Sequence, residues 1–478
     1  MSKVINPVYD VAVIGAGIVG SAIARQLGEY NLNVVLVDSR SDVGDGTSKA
    51  NTAILHTGFD AKPGTLESRL VSRGYTLLSE YAKATGIPVE PTGAILVAWD
   101  KEQLDVLPSL KKKAEENGYK KTEIVDEAYV YHHVPDLGPG VLGGLTVPGE
   151  SIICTWTTNL ALATEAVLRG VELKLGHKIT SVEKGLSHTT LKSDAGEIQA
   201  KLIINAAGLG GDYIDQMFGY DRFHITPRRG ELIVYDKQAR PLVKKIVLPV
   251  PTALGKGVLV SPTIYGNVML GPTAEDLGDR SATGTSESGF EFLLSKGEKL
   301  MPKLLQEEVT ATYAGLRAAS DYPDYLIDLD ETQKYMVVGG IRSTGLTSGI
   351  AIGEYVDEIL SKSSVIKLEK KAKLPPPPHM PNIGESFLRP YQDQARIKAD
   401  PAYGKVVCFC ERVTAGEIRD VFESPIPPST LDGLRRRTRA QNGRCQGFFC
   451  GAEVKEIFDC KGSNVPKPEE VSSKKVAR

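Results

Sequence analysis

The sequence predicts an α/β fold followed by a small, separate cysteine unit. Three observations carry that expectation. From residue 9 to about 366, β-rich runs alternate with helical patterns. A glycine motif, Gly15-x-Gly17-x-x-Gly20, lies between an apolar run and a helical one. Five of the six cysteines stand in the last fifth of the 478 residues.

The bulk numbers are those of an ordinary globular chain: 41% hydrophobic, 24% charged and a formal net charge of −2. Two to four domains are expected for this length. The charge balance gives no reason to expect a nucleic-acid partner or an anionic membrane surface. No run reaches the ~20 apolar residues that span a bilayer. Residues 1–9 include Lys3 and Pro7 and lack the apolar core of a leader, and residues 472–478 are basic and polar. The expected location is the cytoplasm, with peripheral membrane attachment through a partner left open.

The first elements explain the glycines. Residues 10–14 read as a buried strand, 21–27 as a helix and 33–37 as a second strand that ends at Asp38. Gly15 permits the tight turn, Gly17 lets backbone approach a pyrophosphate, and Gly20 lets helix and strand pack closely. The helix N-terminus offers unpaired N–H groups to phosphate. Asp38 can accept a bond from a ribose hydroxyl. The motif alone does not separate NAD from FAD. Two later strand–glycine–helix junctions favour FAD. Residues 201–205 open into 206–212, which include Gly208; residues 335–338 open into Gly339-Gly340 and then 344–349 before a helix. Such junctions gather ligands at the carboxyl ends of parallel strands.

Together, the glycine motif and the 205–212 and 340–349 segments resemble the FAD-dependent oxidoreductases of the D-amino-acid-oxidase and glycerol-3-phosphate-dehydrogenase type. The resemblance runs from residue 10 to about 361. It implies a two-dinucleotide-binding (Rossmann-like) FAD domain over 1–366 with an inserted α+β substrate domain. The FAD-binding parts would be about 9–85, 150–220 and 310–366, and the substrate parts about 86–149 and 221–309. By the same resemblance Gly15, Gly17, Gly20 and Asp38 hold the ADP half, with Gly208 at the second junction. Ile179, in a strand pattern over 178–182, would meet the adenine through its backbone. Gly345, Leu346 and Thr347 would lie along the ribityl chain and flavin. The pattern Thr47-Ser48-x-x-Asn51-x4-His56-x-Gly58 also resembles this family. Thr47, Ser48 and Asn51 would contact the flavin and its phosphates, and His56 would sit beside the isoalloxazine.

A flavin dehydrogenase needs a group to remove the substrate proton and groups to orient the substrate. Histidine suits the first task at neutral pH, which makes His56 the first candidate base and His224 the second. An anionic substrate calls for arginine, whose planar fork pairs with carboxylate or phosphate. In the resembling family the arginine of a Gly-Leu-Arg segment binds the substrate's anionic end, which points to Arg317. Arg342, after Gly340-Ile341, comes next. Arg228 and Arg229 read equally well as a solvated turn. Cys154 lies in an apolar segment and reads as core. A hairpin with a glycine-containing turn is expected over 256–273. It resembles the substrate domain of glycerol-3-phosphate dehydrogenases that use a separate electron-transfer partner, and L-2-hydroxyglutarate dehydrogenases share much of the pattern.

A linker follows over 367–400, charged at first and then carrying four prolines at 375–378, which favour an extended, stiff chain. Cys408-x-Cys410 and Cys445-x4-Cys450 are separated by 34 residues, 411–444. Thiolates ligate iron–sulfur clusters and zinc, and a C-x-C pair is less typical of zinc. The spacing resembles the bacterioferritin-associated-ferredoxin-like [2Fe–2S] module, a small helical unit. That resemblance makes Cys408, Cys410, Cys445 and Cys450 the cluster ligands, 401–460 the domain, and 461–478 a disordered tail. Arg435, Arg436, Arg437, Arg439 and Arg444 would stabilise an anionic cluster, with a solvated helix face as the plain alternative.

Flavin domain and cluster module on one chain resemble the A subunits of anaerobic glycerol-3-phosphate dehydrogenases. The resemblance implies oxidation of sn-glycerol 3-phosphate, a small anionic substrate, to dihydroxyacetone phosphate. Electrons would pass from FAD through [2Fe–2S] to a separate electron-accepting partner, either a flavoprotein or a quinone-linked protein. A 2-hydroxy acid such as L-2-hydroxyglutarate, or an amino acid, fits the same scaffold. A different class is a non-catalytic electron-transfer or assembly protein whose cysteines bind zinc.

Overall fold

The computed structural model describes residues 7–251, 257–385 and 387–467. Two large sheets organise the first 366 residues. In the first, Val34–Val37, Val8–Ile14, Gly196–Asn205 and Tyr335–Gly339 lie side by side in parallel. Their apolar runs are buried on both faces, as a covered parallel sheet requires: Val11, Val13, Leu202, Ile204 and Met336 have no exposed surface. Helices Ile18–Leu27, Leu66–Thr85, Thr155–Leu168 and Gly345–Ser361 pack on one another beside it.

Gly345–Ser361 begins earlier than the sequence suggests. Gly345, Leu346 and Thr347 are its first turn, so their N–H groups lack helical partners and point out of the N-terminus.

The second sheet has nine strands. Its two longest, Ile225–Tyr235 and Val309–Ser320, run antiparallel along their length and set Arg228 opposite Arg317. The expected hairpin is present as Leu259–Pro262 against Val268–Gly271, with Gly266 left-handed in the turn. Its first expected residue, Lys256, lies outside the described residues. Residues from 310 onward were expected in the FAD-binding part. Instead Val309–Ser320 belongs to the second sheet, because only Ile225–Tyr235 offers a partner for its full row of backbone groups.

The expected linker is no free spacer. Asn31 N–H donates to Glu369 O, Met380 N–H to Thr85 O and Glu385 N–H to Ile264 O. Met380 and Ile383 are buried in the core of the first unit, and a short helix, Gln394–Ala399, forms near the strap's end. Apolar side chains inside a polar, proline-rich stretch pin it down.

The C-terminal unit packs three short helices, Ala415–Asp420, Leu431–Thr438 and Gly451–Asp459, around Ile418, Leu434 and Val454. Thr414 and Glu417 form a capping box, and Thr430 caps the arginine-rich helix. The tail expectation is corrected for 461–467: Val465 is buried in this core and Arg419 donates to Pro466 O. Residues 468–478 lie outside the described residues. Among the described residues, no helix is long and apolar enough to cross a membrane.

Candidate active site and cysteine centre

A cleft of about 1300 Å³ opens where the parallel strands of the first sheet end and the second sheet begins. Its lining runs along the glycine turn and the N-termini of Ile18–Leu27 and Gly345–Ser361, as an extended dinucleotide requires. Gly17, Thr47, Ser48, Asn51, His56, Gly208, Arg317, Arg342, Gly345, Leu346 and Thr347 all line it.

Gly15, Gly20, Asp38 and Ile179 stand behind or away from that lining. Gly15 is left-handed at φ +106°, and a Cβ there would come 2.3 Å from Ala206 O. A Cβ on Gly20 would meet Gly15 O at 1.8 Å. Both are fixed by packing, whereas a Cβ on Gly17 would meet only Ser48 Oγ, at 3.1 Å. Gly17 therefore presents an open backbone cradle to a ligand. The Asp38 carboxylate accepts from Ala16 N–H at 2.6 Å and Arg40 N–H at 2.8 Å, bracing the glycine turn. Burial pushes its pKa up. Ile179 is packed into the core of the sheet. Thr47 Oγ1 donates to Leu316 O, and Asn51 bonds Ser48 O, Ala53 N–H and the Thr155 hydroxyl. These two side chains shape the loop that faces the cleft. The glycine turn and the helix N-termini at Ile18 and Gly345, all on the cleft wall, fit FAD.

His56 is held from behind. Its Nδ1 lies 2.9 Å from Glu150 Oε2, and the other Glu150 oxygen accepts from Thr57 N–H at 2.7 Å and Thr57 Oγ1 at 2.9 Å. Glu150 is fully buried. A carboxylate only accepts, so Nδ1 carries the proton and Nε2 faces the cleft as an acceptor. Sequence reasoning missed Glu150; nothing in a linear pattern ties it to a histidine 94 positions away. His224 is exposed, faces Asp221 and Asp321, and does not line the cleft.

The cleft arginines have no counter-ion. Arg317 donates from Nη1 to Thr273 O at 3.3 Å, and its guanidinium lies over Gly230, where a Cβ would sit 2.8 Å from Nη2. Arg342 donates to Tyr322 O, and its buried Nε has no partner. Among the described residues no carboxylate pairs with either. Burial first, and Arg228 second, push the Arg317 pKa below the usual arginine range. Guanidiniums that face one cleft without a carboxylate can pair with an anion. Arg228 and Arg229 are not in a solvated turn; they are strand residues paired with Asp276 and Glu275.

The four predicted ligand cysteines come together as two facing pairs, Cys408 with Cys450 and Cys410 with Cys445. Among the described residues, no group of three or more His, Cys, Asp or Glu is set to hold a single metal ion. The N–H groups of Phe449, then Gly447 and Phe448, hold the Cys445 thiol below its ordinary pKa. Burial and Cys408 push Cys450 up to about 12. Two facing cysteine pairs, with backbone N–H groups gathered at Cys445, fit a cluster shared by the two pairs. Cys460 is exposed outside the group, and Cys154 is buried against Thr157 and Tyr265.

The arginine run is neither a solvated face nor chiefly the cluster's counter-charge. Arg436 and Arg437 both reach Asp42 of the first unit, at 2.8 Å and 2.7 Å. Arg444 reaches Asp236 and Glu308, and Arg439 reaches Glu411. The run latches the cysteine unit onto the rest of the chain.

Residues 10–359 match the family described as FAD dependent oxidoreductase, and residues 406–459 match the BFD-like [2Fe-2S] binding domain. The chain is 36% identical over 453 residues to glycerol 3-phosphate dehydrogenase of Caloramator mitchellensis, covering 94% of each. It is 24% identical over 497 residues to one subunit of the anaerobic glycerol-3-phosphate dehydrogenase of Escherichia coli K12, covering 93% of this chain and 87% of that one. The FAD-bound, dithionite-reduced L-α-glycerophosphate oxidase of Mycoplasma pneumoniae superposes with a TM-score of 0.74 at 28% identity. That match covers 79% of this chain and 100% of the other. The cleft, the paired cysteines and these matches agree: the chain belongs to the FAD-dependent oxidoreductases, of the glycerol-3-phosphate dehydrogenase type, with FAD as cofactor and a C-terminal [2Fe–2S]-binding domain.

Proposed function

We propose that this enzyme oxidises sn-glycerol 3-phosphate to dihydroxyacetone phosphate and passes the electrons through its cysteine module to a separate acceptor, either a flavoprotein or a quinone-linked protein. The observation that carries this reading is the pairing, in one cleft, of two guanidiniums without counter-ions and a histidine Nε2 held free by Glu150. Arg317 and Arg342 bind the phosphate. His56 Nε2 removes the proton of the C2 hydroxyl, and Glu150 stabilises the imidazolium that results. Bound FAD supplies the hydride acceptor. Gly15, Gly17, Gly20 and Asp38 position its ADP half, with Ile179 toward the adenine. Gly208 and the first turn at Gly345, Leu346 and Thr347 position the remainder. Thr47, Ser48 and Asn51 form the loop across it. Cys408, Cys410, Cys445 and Cys450 hold the cluster. One relative named as a glycerol 3-phosphate dehydrogenase, and another named as a single subunit of such an enzyme, support both substrate and partner.

Anaerobic titration of the purified protein tests the substrate. Glycerol 3-phosphate should bleach the flavin absorbance, whereas L-2-hydroxyglutarate and amino acids should not. Bleaching by a 2-hydroxy acid alone overturns the assignment. Iron and sulfide analysis of the same sample tests the cluster, and zinc in their place would exclude the electron route.

A further inference from the structure

Between the cleft and the cysteine centre lies a stacked aromatic pair that neither site absorbs. The rings of Trp156 and Tyr265 lie 5.1 Å apart at 26°. On the cleft side, Trp156 follows Thr155, whose hydroxyl bonds Asn51; both line the cleft. On the other side the Arg439 guanidinium of the cysteine unit sits 4.1 Å from the Tyr265 ring centroid and 5.6 Å from that of Trp156. Arg439 donates to Glu411 from Nε at 3.2 Å and Nη2 at 3.0 Å. Glu411 is 1% exposed and directly follows Cys410.

A second observation marks the same place. Arg439 ends its helix at φ +73°, a left-handed conformation that non-glycine residues adopt at a cost of roughly 1–2 kcal/mol. That backbone turns its buried side chain toward the rings and Glu411. The guanidinium over the aromatic stack therefore sits where the cysteine unit meets the first unit.

We propose that the Trp156–Tyr265 stack, clamped by Arg439 and Glu411, is the bridge by which electrons cross from the flavin cleft to the cysteine centre. This rests on the electron route proposed above but not on the identity of the substrate. Each two-electron oxidation of substrate requires two single-electron crossings. After each crossing an external one-electron acceptor, ferricyanide in the assay, reoxidises the cluster, so each turnover consumes two. The flavin's proton returns to solvent and none crosses the bridge. Arg439 and Glu411 act as positioning residues: they set the gap between the rings and the Cys410 loop.

The test uses the intact holoenzyme with Tyr265→Leu, Arg439→Met and Arg439→Lys. Iron, sulfide and the EPR spectrum after dithionite reduction establish that the cluster is assembled. The flavin is then reduced anaerobically by light with a sacrificial donor, and the rise of the cluster's EPR signal is followed. Tyr265→Leu and Arg439→Met should slow that rise at least tenfold, with Arg439→Lys in between. Flavin bleaching by glycerol 3-phosphate should keep its wild-type rate. Wild-type cluster reduction in both Tyr265→Leu and Arg439→Met overturns the bridge. If Arg439→Met loses its cluster, Tyr265→Leu, outside the cysteine unit, decides alone. Tyr265→Phe keeps the ring and should transfer normally; a tenfold loss there would also count against the stack. If glycerol 3-phosphate fails to bleach the wild type, the substrate reading falls, while the light-driven arm still decides the bridge.

Discussion

Arginines crowd two regions of this molecule, and the regions treat them in opposite ways. In the cleft, Arg317 and Arg342 have only carbonyl partners among the described residues, and the Nε of Arg342 is buried with none there. In the cysteine unit, Arg436, Arg437, Arg439 and Arg444 each reach a carboxylate, and three of the four reach across to the first unit. A buried charge without a partner weakens the fold. The cleft keeps two half-buried guanidiniums where a ligand can reach them, and the function proposed above makes the substrate's anionic group their missing partner. The cysteine unit satisfies its charges from within the chain, so Arg436, Arg437 and Arg444, which reach the first unit, have a structural role. The presence of arginine says little until its partner is known.

Asp42 offers the largest break in this comparison. It is 2% exposed and accepts from two guanidiniums. Asp42→Ala leaves Arg437 buried without a counter-ion, while Arg436 keeps Asp45 and Asp432, a loss of about 3–5 kcal/mol. The cysteine unit should separate: limited proteolysis should cut within 367–400, and a new early unfolding transition should appear. A variant that resists protease as the wild type does would show that the strap alone holds the unit.

Removing a cleft arginine should do the reverse. Arg317→Leu should lower kcat/KM for glycerol 3-phosphate about 10²-fold, or roughly 2.7 kcal/mol, with no loss in thermal midpoint. Removing an unpaired buried charge relieves the fold while it harms function. A stability loss like that of Asp42→Ala would mean that Arg317 has a structural role after all.

One paired carboxylate stands directly behind the cleft. Glu150 serves His56 rather than an arginine, and it fixes a proton instead of a domain. Glu150→Gln can donate to Nδ1 and so move the ring proton to Nε2, where the base is needed. The expected result is about a tenfold fall in kcat, or ~1.4 kcal/mol, with KM little changed and a shifted pH–rate profile. An equal fall at every pH with a raised KM would point to loss of packing.

What could be read in the sequence follows the same division. Gly15, Gly17 and Gly20, and the two cysteine pairs, show themselves because their function depends on local spacing. Arg317 is singled out by a family resemblance carried on a short segment, and it lines the cleft. Glu150, Gly230 and Asp42 do not show themselves, because tertiary structure alone gives each its partner. Asp42 meets Arg436 across 394 positions, and no acid stands between residues 434 and 444 to hint at a pairing. The strand Val309–Ser320 was misassigned for the same reason: its partner, not its composition, decides its sheet.

The smallest effect concerns pH and bears on whether the latch is ionic. Burial alone would raise the Asp42 pKa, but Arg437 and Arg436 outweigh it and hold the carboxyl below its ordinary value, about 3.9. A carboxyl depressed by folding stabilises the folded state above its unfolded pKa, and that contribution is lost as pH falls through the folded value. Asp42→Asn cannot titrate and keeps the shape. The gap in thermal midpoint between wild type and Asp42→Asn should therefore be constant from about pH 5 to 8 and narrow below about pH 4. Each unit of depression contributes about 1.4 kcal/mol. Asp236, held low in the same direction with Arg444 among the causes, is present in both proteins and cancels in the difference. A gap that widens on acidification would mean that neutral Asp42 also binds the arginines, and that shape rather than charge closes the latch.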